Sequence, residues 1–258
     1  MAFLEGMTRF LSLLFALFSI GLSACSQAPD ASHARIAVAT NFQPVMEKLA
    51  AQFETRTNYR LETVTGSTGL LYAQIINGAP YDVFLAADEA RPQNLSANGQ
   101  GVAGTRFTYA LGQLVLWHPE KTSIGPDNLK AAHVRKVALA NPELAPYGLA
   151  AAHVIDGLGL TVSLKDKRVL GENIGQTFAF VKTGNAALGF VALSQVLGLP
   201  EGEQGAYWMP PQRLYTPIRQ DAILLKRGQD NAAARAFIAF LKSDEAKDII
   251  SASGYKAP

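Results

Sequence analysis

One cysteine among 258 residues rules out an intramolecular disulfide framework, so the core of this chain must hold without covalent staples. Excess charge is scarce as well: 23 basic against 21 acidic residues leave +2, with no basic stripe to follow a nucleic-acid backbone. The chain has no Gly-x-x-x-x-Gly-Lys loop for nucleotide phosphates, and Ser67 lacks the Gly-x-Ser-x-Gly elbow of a hydrolase nucleophile. His33, His118, His133 and His153 show no metal spacing and no evident nucleophile-and-base arrangement in the sequence, so they read as solvated or packing residues. Asp82 and Asp88 flank one apolar segment, where a strand end and a helix cap explain them more simply than an acid–base pair. Tyr72, Tyr81, Tyr147 and Tyr207 offer phenols for a metal, but no carboxylate or histidine is convincingly placed to join them. The expectation is a protein that is not an enzyme and needs no cofactor.

One apolar run does stand out, and it lies at the N-terminus. Arg9 precedes Phe10-Leu-Ser-Leu-Leu-Phe-Ala-Leu-Phe-Ser-Ile20, which ends in the small residues Leu22-Ser-Ala-Cys25. That pattern is a signal peptide over residues 1 to 24, too short for a comfortable bilayer span. Leu-Ser-Ala-Cys resembles the lipobox of bacterial lipoproteins, which makes Cys25 the lipid-bearing first residue of the mature protein, with residues 25 to 32 as a small, polar tether. Acyl chains contribute roughly 0.8 kcal/mol per buried CH2, so two or more would hold the protein firmly at a membrane surface.

From residue 33 onward short apolar strands alternate with helix-period segments. Ile36-Ala-Val-Ala39 leads into Val45, Leu49 and Phe53 at four-residue spacing, with Pro44 tolerated in the first turn. Leu61 to Thr65 ends at Gly66-Ser-Thr-Gly69, and a helix from Leu70 to Asn77 follows, closed by Gly78 and Pro80. Asp82 to Ala87 has the continuous apolar content of a strand covered on both faces. The order argues for a parallel-rich α/β sheet. Tyr109 to Trp117 reads as one long strand, and strands at 137 to 140, 188 to 192 and 222 to 225 come after it. Helices are expected at 149 to 158, 174 to 182 and around Phe237, with a short terminal helix beginning near Ser243. The long strand and the return after 216 suggest two lobes: residues 33–109 plus 217–258, and residues 110–216. A single seven-strand domain is the plainer alternative.

In parallel α/β sheets ligands lie beyond the carboxyl ends of the strands, at helix starts whose N–H groups are unpaired. Thr40-Asn41, Ser67-Thr68, Pro146-Tyr-Gly148 and Asn173-Ile-Gly175 all fall at such places. Their side chains are neutral donors: the hydroxyls of Thr40, Ser67 and Tyr147 and the amide of Asn41. Each alone reads as an N-cap or a turn. Together they suit a small, fully ionised oxyanion, because a protonated anion would need an acceptor on the protein.

Five stretches carry a family resemblance: Val38-Ala-Thr-Asn-Phe-Gln-Pro44, Gly66-Ser-Thr-Gly-Leu-Leu-Tyr-Ala-Gln74, Gly78-Ala-Pro-Tyr-Asp-Val-Phe-Leu-Ala-Ala-Asp88, Asn141-Pro-Glu-Leu-Ala-Pro-Tyr-Gly148 and Glu172-Asn-Ile-Gly-Gln176. With them the chain resembles the extracytoplasmic molybdate-binding proteins of ABC transporters over nearly all of residues 33 to 254, in an Asn and Tyr branch of that family. The resemblance implies a two-lobed periplasmic binding protein fold of type II with a hinge between the lobes. It implies a monomer that takes molybdate or tungstate to a membrane permease. It places the ligand on Thr40, Asn41, Ser67, Tyr147 and the backbone amide of Ile174, with contacts to the metal only through the oxyanion oxygens. Members of the serine branch have a tyrosine after a Gly-Ile-Val segment; the matching stretch here is Gly189-Phe-Val-Ala192, and Ala192 has no hydroxyl to give. Two other readings of the crevice are a receptor for another oxyanion or ferric ion and an exported lipid-anchored hydrolase.

Overall fold

The structure is a computed structural model that describes residues 32–258. The expected signal segment, Cys25 and all of the tether but Ser32 lie outside the described residues. Among the described residues ten strands form two five-stranded sheets. The first contains β1 (His33–Ala39), β2 (Arg60–Gly66), β3 (Val83–Leu85), β4 (Phe107–Gly112) and β10 (Ile218–Leu224) in the order β2-β1-β3-β10-β4. The second contains β5 (Leu114–His118), β6 (Val137–Ala140), β7 (Arg168–Gly171), β8 (Leu188–Ala192) and β9 (Ala206–Trp208) in the order β7-β6-β8-β5-β9. In each sheet the three strands β2, β1, β3 and β7, β6, β8 pair in parallel, while β10 and β5 run antiparallel to their neighbours. The fold is mixed α/β and two-lobed, one lobe built on each sheet.

Both faces of each sheet are covered, and the period of two along a strand shows how. Ile36 and Val38 of β1, with Val83 and Leu85 of β3, pack on Phe42, Leu49 and Phe53 from α1 (Gln43–Arg56) and the turn before it. The alternate residues Ala37 and Phe84 face the other way, onto Leu71 and Ile75 of α2 (Thr68–Ile76). The second sheet repeats the device: Leu114, Leu116 and Phe190 face one core, Val115, Trp117 and Val191 the other. Truncating a fully buried ring such as Phe53 to alanine costs about 3–5 kcal/mol. The remaining helices are α3 (Ala90–Ala97), α4 (Pro146–Gly157), α5 (Ile174–Lys182), α6 (Leu193–Leu197), α7 (Ala232–Leu241) and α8 (Asp244–Ala252). Among the described residues no helix is long and apolar enough to cross a membrane.

The expected strand from Tyr109 to Trp117 is two strands. Gln113 separates β4, which belongs to the first sheet, from β5, which belongs to the second, and its Nε2 donates to the Gly254 carbonyl at 2.8 Å. Apolar periodicity registers burial, which continues through this point, and is blind to the change of sheet. Helix α3 and the strands β7 and β9 also escape the pattern: α3 is largely polar, and the two strands are short edge strands with partly exposed side chains. The third strand is shorter than its apolar run, because Ala86 and Ala87 already belong to the turn that leads to α3.

Candidate functional site

Four helix starts converge on one cavity. Strand β1 ends at Ala39, and Thr40–Phe42 form a single 3-10 turn that feeds α1. Strand β2 ends at Gly66, and Ser67 caps α2, its Oγ accepting the Leu70 N–H at 3.4 Å. Helix α4 opens at Pro146 with Ala145 as its uncharged, non-bonding cap. Helix α5 opens at Ile174 behind Asn173, whose Oδ1 accepts the Gln176 N–H at 2.9 Å. Thr40, Asn41, Ser67, Tyr147 and Ile174 all line the same narrow cavity, whose volume is about 10 Å³. Thr68 lines it as well. The first N–H groups of a helix have no partner within it and carry the positive end of the helix dipole, so each start favours negative charge nearby.

None of the residues lining the cavity carries a charge. Its one titratable side chain is Tyr147, and burial, followed by the neighbouring Tyr255 and Tyr109, pushes that phenol well above its ordinary value. Tyr147 therefore stays a neutral hydroxyl at any physiological pH. Thr40 Oγ1 is buried and has no protein partner. Leaving a polar atom in that state costs about 1–3 kcal/mol, and a guest in the cavity would relieve it. The Ser67 oxygen receives a hydrogen from Leu70, so its own hydrogen remains to be given.

Asn41 is placed otherwise than the sequence suggests. Its Nδ2 donates to Gln220 Oε1 at 2.9 Å and to Tyr255 Oη at 3.0 Å, so both amide hydrogens turn away into the protein. What Asn41 keeps for the cavity is a backbone N–H in the first turn of its helix. Behind it lies a buried polar cluster that sequence reading missed: Tyr109, Ser194, Gln220 and Tyr255. Gln220 and Asp221 lie just before the strand expected at 222 to 225 and belong to it in the structure, where β10 runs Ile218–Leu224. Tyr255, near the chain end, left no signal.

The two lobes touch closely around the cavity. The Gly69 N–H donates to the Leu144 carbonyl at 2.9 Å, and Arg91 Nη2 donates to the Glu143 carbonyl at 3.1 Å. A Cβ on Gly175 would sit 2.5 Å from Thr40 Cγ2, so only glycine lets the start of α5 come this near to the first lobe. Asp88 pairs with Arg91, and Asp82 pairs with Arg227 while accepting the Arg35 N–H at 2.8 Å. Both carboxylates are thus engaged in holding backbone and arginines in place.

A family model described as bacterial extracellular solute-binding protein matches residues 34–256. The molybdate-binding protein ModA of Azotobacter vinelandii is 47% identical over 247 residues, which cover 95% of this chain and 97% of that protein. ModA of Rhodobacter capsulatus is 44% identical over 220 residues, 85% of this chain and 86% of its own. The solved structure of the Azotobacter vinelandii periplasmic molybdate-binding protein superposes with a TM-score of 0.83 at 39% identity, covering 87% of this chain and 99% of the other.

Proposed function

The chain belongs to the bacterial extracellular solute-binding proteins and, within them, to the molybdate-binding proteins, and we propose that it captures molybdate or tungstate outside the cytoplasm and hands it to an ABC transporter permease. One observation carries the reading: a narrow cavity without a single charged residue, on which four helix starts converge and in which the Thr40 hydroxyl lacks a protein partner. An ion with four acceptor oxygens and no hydrogen satisfies such a cage. Hydrogen bonds to a charged group are worth about 1.5–3 kcal/mol each, so several of them hold a small ion with little apolar contact.

The donors would be the hydroxyls of Thr40 and Ser67, the Tyr147 hydroxyl, and the backbone N–H groups of Asn41, Tyr147 and Ile174. In this scheme Tyr147 supplies from α4 the hydroxyl that Ala192 lacks. Thr40, Asn41 and Ser67 stand on the first lobe, Tyr147 and Ile174 on the second, so the ion itself ties the lobes together. Closure would turn residues 110–216 against residues 33–109 and 217–258 about the two crossings, and ligand would favour the closed state to the extent that it binds it better. Phosphate species that keep a hydrogen find no carboxylate to take it here, sulfate is smaller than molybdate and would stretch its bonds to a fixed ring of donors, and molybdate and tungstate are close in size. Residues 1 to 24 would direct export and Cys25 would carry the lipid; acyl labelling that persists in Cys25→Ser contradicts this part.

Titration calorimetry of ligand-free protein tests the whole reading. Tight, similar binding of molybdate and tungstate is expected, with sulfate and phosphate weaker by at least about a hundredfold, equivalent to roughly 2.7 kcal/mol. Phosphate bound as well as molybdate would contradict it.

A further inference from the structure

The polar cluster behind the cavity has Gln220 at its centre. Gln220 is fully buried on β10, where a register shift between Gln220 and Asp221 lets Tyr109 of the neighbouring strand β4 bulge. Such bulges re-aim side chains beside sites. Its Oε1 accepts from Asn41 Nδ2 at 2.9 Å and lies 3.0 Å from the Tyr109 hydroxyl. Its Nε2 donates to Tyr147 Oη at 3.1 Å, across from the first lobe to the second. The approach is tight enough that a Cβ on Gly112 would come within 2.3 Å of Tyr147 Oη and 2.6 Å of Gln220 Nε2.

Counting hydrogens shows what this arrangement fixes. Asn41 Nδ2 has two hydrogens, and Gln220 and Tyr255 take them. The Tyr255 hydroxyl gives its hydrogen to the Asn41 carbonyl at 2.8 Å and has Ser194 Oγ 3.1 Å away. Tyr147 Oη, with a lone pair filled by Gln220, keeps one hydrogen of its own. That hydrogen can go to the Tyr255 oxygen, already crowded by Asn41 and Ser194, or to a guest in the cavity.

We infer that Gln220 is the positioning residue of the anion site: from behind the cavity it holds the Asn41 side chain and fills a lone pair of the Tyr147 hydroxyl, so that Tyr147 is left with its hydrogen to give to the ion. An amide donates from one end and accepts at the other in fixed directions, and Gln220 uses both. A carboxylate in its place accepts from Asn41 and Tyr109 as before, but it also takes the Tyr147 hydrogen and sets a negative charge beside the anion. The inference rests on the molybdate reading and extends it to a residue that does not line the cavity.

The experiment compares wild type, Gln220→Glu and Gln220→Met by calorimetry with sodium molybdate between pH 6 and pH 9, with ligand-free unfolding of each protein measured alongside. Wild-type affinity should stay level across that range, since the titratable groups facing Gln220 are the Tyr109, Tyr147 and Tyr255 phenols, and the carboxylates nearest Tyr109 are Asp221, paired with Arg106, and Asp88, paired with Arg91. Gln220→Glu should bind at least about a hundredfold more weakly at pH 9 and regain at least about tenfold by pH 6, where the buried acid takes up a proton and donates again. Gln220→Met, which keeps the bulk and cannot hydrogen-bond, should lose about tenfold at every pH. A Gln220→Glu protein whose affinity ignores pH, or a Gln220→Met protein within twofold of wild type, overturns the inference; if Gln220→Glu does not fold, the Gln220→Met result decides alone. Wild type that fails to bind molybdate sinks the functional reading instead.

Discussion

Beside the cage lies a larger hollow, and Ala87 and Pro146 belong to the walls of both. This crevice has a volume of about 190 Å³ against about 10 Å³ in the cage, and Asp88, Glu89, His153 and Arg219 stand around it. By volume the crevice is the better pocket. By chemistry it is the worse one for an oxyanion, since carboxylates face an incoming negative charge there, and the arginine is already paired: Arg219 Nε lies 3.2 Å from Glu89. The cage has neither carboxylate nor cation, and its helix starts hold partial positive charge in fixed directions with no counter-ion to displace. The difference teaches that the absence of protein charge, together with unspent hydrogens, marks the site better than size does.

The largest effect should come from giving the cage what the crevice has. Ser67→Asp keeps a good N-cap on α2, so the protein should fold, but it brings a carboxylate against the ion. Two like charges about 4 Å apart at an effective dielectric near 20 repel by about 4 kcal/mol, so molybdate affinity should fall about a thousandfold in calorimetry. Retained affinity would mean that the ion sits elsewhere.

Alkaline pH should strip the wall behind the cage next. Burial raises the Tyr255 phenol to about 12 from an ordinary 10.0, with hydrogen bonds from Ser194, Asn41 and Tyr147 pulling the other way, and raises Tyr109 and Tyr147 well above 10.0. Between those values the unfolded chain loses protons that the folded chain keeps, so stability is whole below pH 10 and declines as pH climbs to about 12. Tyr255 alone accounts for about 2–3 kcal/mol of that decline, measurable by denaturant unfolding at stepped pH. Stability unchanged to pH 12 would contradict the buried cluster.

Gly175→Ala is a gentler wedge. The new methyl would lie 2.5 Å from Thr40 Cγ2, so the start of α5 must draw back from the first lobe and molybdate binding should weaken about tenfold or more in calorimetry. In the crevice, His153→Ala should change affinity less than about twofold; a larger loss would bring the two hollows together as one site.

Sequence alone made the cage legible to a good degree because its parts repeat a single local device, a strand followed at once by a small polar residue and a helix. That device puts Thr40, Asn41 and Ser67 at helix starts, the family resemblance singles out Tyr147 and the Ile174 amide, and all five line one cavity. The direction of the Asn41 amide does not follow from it. That depends on Gln220 and Tyr255, which lie 179 and 214 residues further along the chain, and no local pattern reports a contact made over such a distance. The break at Gln113 was hidden for a related reason: buried residues lie on both sides of it, Ala110 and Gly112 in β4 and Leu114 to Trp117 in β5, and the strands differ in their partners. The short, partly exposed edge strands β7 and β9 carry too little apolar alternation to be read at all.

The most direct test of the charge-free cage is a crystal of the molybdate-loaded protein measured at the molybdenum absorption edge, where anomalous scattering locates the metal whatever the modelling of its surroundings. A single peak enclosed by Thr40, Ser67, Tyr147 and Ile174, with only N–H and O–H groups against its oxygens, is the expected result. A peak in the neighbouring crevice among Asp88, His153 and Arg219, or any carboxylate touching the ion, would contradict the account.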